Sequence, residues 1–125
     1  MPVVYSNTAK TNRMTAVRDT IDAGTGPGVL QIGTAGMATV LAEFTLNDPC
    51  GTVSGPVLTF LGFPKSDTSA NATGIAAEAR IRDSNGADVI TGLTVGTTGF
   101  DINLDSINIT AGQTVTINSA QITHA

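Results

Sequence analysis

From Gly28 onward the chain is a series of short aliphatic runs that alternate with polar residues and are cut by Gly, Pro, Asn and Asp. A period of two marks a strand with one face buried. Val29, Leu30 and Ile32 open the series, followed by Val40, Ala42, Phe44 and Leu46 on one face, with Glu43 facing away. Asn47-Asp48-Pro49 breaks this run. Residues 57–63 are almost continuously apolar and are expected to be buried on both faces. Residues 64–73 are small and polar and read as a loop or a sheet edge. In 75–82, Ile75, Ala77, Ala79 and Ile81 should share one face, with Ala76, Glu78, Arg80 and Arg82 opposite. Ser84-Asn85-Gly86 follows, and Asn-Gly is a strong hairpin signal. Val89, Ile90, Leu93 and Val95 form the return strand. Phe100, Ile102 and Leu104 are expected to point inward, with Asp101, Asn103 and Asp105 outward. Ile107, Ile109, Val115, Ile117 and Ile122 complete the set. Roughly seven or eight such strands predict a mostly β chain, a β-sandwich or jelly-roll-like single domain.

One helix is predicted, near 12–23. Met14, Val17 and Ile21 recur at helical spacing, Asn12 suits the N-cap, and Gly24 suits the position just past the end. Residues 1–12 show no periodicity and read as an extended N-terminal arm. The expected division is therefore an arm over 1–12 and a single β-sandwich domain over 13–125 that carries the short helix. There is no internal repeat.

Apolar residues are 41% of the sequence but aromatics only 4%, so Val, Ile, Leu and Ala must fill the core. Little aromatic surface is left for stacking sugars or bases. Charged residues are 13%, and Thr, Ser, Asn and Gly take their place on the outside. Hydroxyls and amides cost less to desolvate than charges, which suits packing against other protein. A net charge of −4 with six Lys and Arg argues against nucleic acid. No run approaches the roughly 20 apolar residues of a membrane span. MPVVYSNTAK lacks a basic region followed by an apolar run, so cytosolic synthesis is expected. The sequons at Asn71 and Asn108 then read as chance.

Reactive groups are few. His124 lies beside the last residue, a poor place to hold a metal or a proton relay. Cys50 is the lone cysteine and has no basic residue nearby in sequence, so a passive thiol is expected. Residues 83–88 look like half of a calcium loop but lack the closing Glu, and a hairpin turn accounts for them. Gly24-x-Gly26-x-Gly28 contains Pro27 and follows the helix, unlike a phosphate loop. Glu78 shares a face with Arg80 and Arg82 and suggests a surface ion pair. No nucleophile with its base and no ligand cluster can be assembled, so neither an enzyme nor a cofactor is expected.

Four stretches carry a resemblance: AVRDTIDAGTGPGVLQIGT at 16–34, LAEFTLNDPCGTVSG at 41–55, SDTSANATGIAAEARIRDSNGADVI at 66–90, and VGTTGFDINLDSINITAGQTVTINSAQITH at 95–124. Together they resemble small virion structural proteins of tailed bacteriophages. The similarity covers most of the chain from Arg13 onward. Its most specific elements are Ala23-Gly24-x-Gly26-x-Gly28, Leu41-Ala42-Glu43, Ser66-Asp67-Thr68-Ser69-Ala70 and Ile109-Thr110-Ala111-Gly112-Gln113. The resemblance implies a capsid decoration (cement) protein on the virion surface, made in the host cytoplasm. Its implied partners are the major capsid protein and neighbouring copies of itself, as a dimer or trimer, with no nucleic acid and no membrane. Val3, Val4, Tyr5, Lys10, Arg13 and Arg18 are the residues expected to grip a neighbour. Two other readings stay open: a head–tail joining, tail or fibre-base component, and a virion-displayed receptor- or carbohydrate-binding β-sandwich.

Overall fold

The structure, a computed structural model, describes residues 6–23, 27–47, 50–55 and 57–123. It opens with helix α1 (Asn7–Ile21). The Ser6 hydroxyl caps it by accepting the Ala9 N–H at 3.1 Å. Met14 and Ile21 are buried and Val17 packs half-buried beside them, as the spacing indicated. The helix nevertheless starts earlier than expected. Nothing between Ser6 and Asn12 breaks it. Lys10 stands four residues before Met14, so its aliphatic stem prolongs the buried stripe where no apolar residue marks it. The extended arm expected over 1–12 is thus helical from Asn7, and Ser6 replaces Asn12 as the N-cap. Residues 1–5 and Gly24 lie outside the described residues.

The remainder is mostly β, as the alternation predicted. The strands are β1 (Val29–Gly33), β2 (Val40–Thr45), β3 (Gly51–Ser54), β4 (Val57–Phe60), β5 (Lys65–Asp67), β6 (Gly74–Ile75), β7 (Glu78–Arg82), β8 (Asp88–Gly96), β9 (Ile102–Leu104), β10 (Asn108–Ile109) and β11 (Val115–Thr123). Among the described residues, nine of these form one mixed sheet in the order β2-β1-β7-β8-β9-β11-β4-β3, with β5 also paired to β11. β6 and β10 make a separate two-stranded sheet. The β8–β9 pair is parallel and the other pairs are antiparallel. Register shifts in β1–β2, β7–β8 and β9–β11 add local twist and help the sheet curl. The curl brings β2 close to β5, where the Glu43 N–H donates to Asp67 Oδ2 at 3.1 Å. The layers of the domain therefore come from one sheet coiled over its own core.

That core is aliphatic. Leu30, Ile32, Leu58, Ile81, Ile102 and Ile117 are fully buried, with Phe44 and Phe60 among them. Helix α1 lies over β3, β4 and β8.

Several local expectations change. Residues 57–63 are not buried on both faces: β4 ends at Phe60, Thr59 is exposed, and Leu61 is 38% exposed. The face of 75–82 switches phase. Ile75 is 59% exposed and Ala77 is exposed, while Ala76 is buried. Ile75 belongs to the small sheet with β10, and the Ala77 N–H bonds the Gly33 carbonyl at 3.0 Å, so the run does not enter β7 as one flat strand. Ala79 and Ile81 are buried as expected. Arg82 pairs with Asp88 at 2.7 Å across β7–β8, and Arg80 donates to Gln31 at 2.8 Å; Glu78 joins neither contact. Phe100, expected inward, is 48% exposed because the chain turns through 97–101 before β9 begins.

Candidate functional site

Helix α1 carries the basic residues singled out in the sequence. Lys10, Arg13 and Arg18 are half-buried, because their positions continue or flank the stripe formed by Met14, Val17 and Ile21. Their stems cover core edges. Arg18 also leans on its neighbour Asp19, with Nη2 3.3 Å from Oδ1. The exposed side of the helix is Asn7, Thr8, Asn12, Ala16, Asp19 and Thr20, a surface of small and mostly uncharged side chains. Val3, Val4 and Tyr5 lie outside the described residues, as does His124.

The end of α1 is fastened to the sheet. The Asp22 N–H donates to the Arg18 carbonyl at 3.0 Å, and the Asp22 carboxylate accepts the Cys50 N–H at 3.1 and 3.3 Å. Cys50 itself is buried. Burial, then the Asp22 charge, pushes its thiol from an ordinary 9.0 up to about 12. The thiol therefore keeps its proton at neutral pH and is a poor nucleophile.

A different arrangement stands at the other side of β8. The chain leaves the sheet after Gly96 and returns at Ile102, where Val95 and Ile102 are parallel partners. Parallel neighbours ordinarily need a crossover of about a dozen residues or more. Here the intervening residues make a loop tied by side chains. Asp101 Oδ2 accepts the Thr94 N–H and its hydroxyl, both at 3.1 Å. Asn103 Oδ1 accepts the Phe100 N–H at 3.0 Å, while its Nδ2 donates to the Phe100 carbonyl at 3.1 Å and to Ser119 Oγ at 3.0 Å. Gly96 makes room for the Phe100 ring, which a Cβ at that position would overlap. The ring is held against the strand with about half its surface open.

Beside this loop, β11 presents Ser119, Gln121 and Thr123 on its exposed face, while Ile117 and Ala120 are buried. Phe100, Asp101, Asn103, Ser119, Gln121 and Thr123 line a groove of about 380 Å³. Asp101 and Asn103, expected to point outward from a strand, are the ties that shape this loop. Phe100 was missed as a surface residue. Its signal was the Gly96 and Gly99 turn immediately before it, which ends the strand although the alternation continues.

A second groove, about 370 Å³, runs between β2 and β5 and is lined by Glu43, Thr45, Lys65, Ser66 and Asp67. Its polar groups are engaged with one another's strands. Gln31 Nε2 donates to Glu43 Oε2 at 2.8 Å, and Lys65 Nζ donates to Asn47 Oδ1 at 2.8 Å. With Arg80 on Gln31, a polar ladder crosses β7, β1 and β2. In the β7–β8 hairpin, Asp83 Oδ1 accepts the N–H groups of Asn85 and Ala87 at 2.9 and 3.0 Å, so that carboxylate faces its own turn.

The chain matches no family model, no curated protein and no solved structure.

Proposed function

We propose that this chain is a virion structural protein of a tailed bacteriophage, a capsid decoration (cement) protein that binds the outside of the major capsid protein shell and stabilises it. The observation that carries the reading is the division of its surface and interior. An aliphatic core is wrapped in a sheet whose exposed positions are largely Thr, Ser, Asn and Gly. Many of its charged side chains are already tied within the chain: Arg82 to Asp88, Arg80 and Glu43 to Gln31, Asp101 to Thr94. Such a surface sheds water at low cost, and small contacts repeated over many copies on a shell add through avidity.

The helix changes which residues hold the shell. Lys10, Arg13 and Arg18 flank the buried stripe, so the grip falls to Val3, Val4 and Tyr5 and to the exposed side of α1. Self-association around a capsid axis fits the same surface. The test is reconstitution: purified protein is added to heads lacking it, and copies per particle are counted by quantitative mass spectrometry. Hundreds of copies support decoration, whereas six or twelve place the chain at the neck or tail. Deleting residues 1–5, which leaves α1 whole, should weaken binding to heads; unchanged affinity removes the arm from the mechanism and leaves decoration standing.

A further inference from the structure

We propose that the groove between the β8–β9 loop and β11 is a binding site for a neutral pyranose sugar. A sugar ring has one flat face of C–H groups and a rim of hydroxyls. A protein site for it needs an aromatic surface for the face and neutral or singly charged hydrogen-bonding groups for the rim. Both stand here at one place.

The aromatic surface is Phe100. Among the described residues it is one of the large apolar side chains left exposed, and it is the aromatic one. It is not a loose loop residue. Its backbone N–H and carbonyl are both held by the Asn103 amide, and its ring occupies the space that Gly96 leaves empty. Main chain fixed in this way loses little freedom when a ligand covers the ring.

The rim groups are those the loop does not consume. Asp101 lines the groove and engages Thr94 through Oδ2 alone, so its second carboxylate oxygen is not used by these loop ties. Ser119 Oγ accepts from Asn103 and keeps its own proton to donate. Gln121 and Thr123 stand at alternate positions of the same strand face, with an amide and a hydroxyl available. The period-two spacing places Ser119, Gln121 and Thr123 in a row along the groove floor. Donors and acceptors are thus mixed, which suits hydroxyls, since each can both give and receive. The charge at the site is the Asp101 carboxylate, so an acidic sugar is repelled. The groove volume of about 380 Å³ falls within the usual range for small-molecule sites.

This site does not depend on the capsid reading. Its ligand chemistry could come from a single terminal sugar or from the interior of a neutral polysaccharide. The experiment is a chemical-shift titration of the ¹⁵N-labelled full chain with the methyl pyranosides of glucose, galactose and mannose, with a linear neutral hexasaccharide, and with sialyllactose. At least one neutral probe should saturate the amides of Gly96, Gly99, Asp101 and Gln121 with a Kd on the order of 1 mM or tighter. Tighter binding of the hexasaccharide assigns a polysaccharide chain, and equal affinity assigns a terminal sugar. Phe100→Ala should weaken binding at least about tenfold and Gln121→Ala about threefold, with the remaining spectrum unchanged. The proposal fails if no neutral probe gives saturable shifts at these amides, if Phe100→Ala binds as the parent does, or if sialyllactose binds as well as the neutral sugars.

Discussion

At the α1 seam a helix is held by apolar side chains sunk into the sheet; at the β8–β9 corner a loop is held by polar atoms at the surface. Ile21 and Met14 are buried at the seam, and Phe100 is half-exposed at the corner. Each place has a glycine that allows close approach. At Gly28 a Cβ would lie 2.7 Å from the Arg82 carbonyl oxygen and 2.7 Å from Ile21 Cγ2. At Gly96 it would meet the ring of Phe100, which can swing toward solvent. The seam is where stability is concentrated, and the corner is where shape is displayed at small energetic cost. A core resists small changes because its neighbours cannot move aside, whereas a surface loop yields.

The sharpest way to break this contrast is Ile21→Ala, which should cost about 2–5 kcal/mol in urea unfolding. A value near zero would mean that α1 does not contribute to the core. Gly28→Ala should cost about 1–3 kcal/mol, since backbone must shift to admit the methyl group. Asp22→Ala leaves the Cys50 N–H without its carboxylate and should cost about 1–2 kcal/mol. The same seam predicts an alkaline weakness. The folded thiol of Cys50 holds its proton up to about 12, whereas an unfolded one ionises near 9.0. The stabilisation is therefore complete below 9.0 and is lost as pH rises toward 12. Urea midpoints at about pH 8 and about pH 10.5 should fall further in the parent than in Cys50→Ala. At the corner, Gly96→Ala and Phe100→Ala should each change stability by no more than about 0.5 kcal/mol. Gly96→Ala should still move the aromatic proton resonances of Phe100; a loss as large as that of Gly28→Ala would erase the distinction between the two regions.

The two regions were also unequally legible in the sequence. The stripe of α1, the strands β1, β2, β7 and β8, and the Asn85-Gly86 hairpin all follow from apolar period and turn chemistry. The start of α1 was hidden because Lys10 occupies a buried-stripe position without being apolar. β3 was missed, and β5 falls in the stretch read as a loop or a sheet edge, since Gly51-Thr52-Val53-Ser54 and Lys65-Ser66-Asp67 are short and carry almost no alternation; their pairing with β4 and β11 defines them. The corner failed for a different reason. Phe100, Ile102 and Leu104 keep a period of two, but the chain loops back through 97–101 to run parallel to β8, and periodicity cannot register a loop that brings Val95 beside Ile102. The groove is built from that return, so its residues could be named in advance but not assembled.

β11 has a consequence for how the molecule is made. It is paired with β4, β5 and β9, whose residues were synthesised as much as half a chain length earlier. While the ribosome still holds residues 115–123, β4, β5 and β9 lack this common partner, and the aliphatic side chains of β4 and β9 wait uncovered. Completion of the sheet thus waits for the synthesis of Val115–Thr123, and a nascent chain stalled before Val115 would be a client for chaperones.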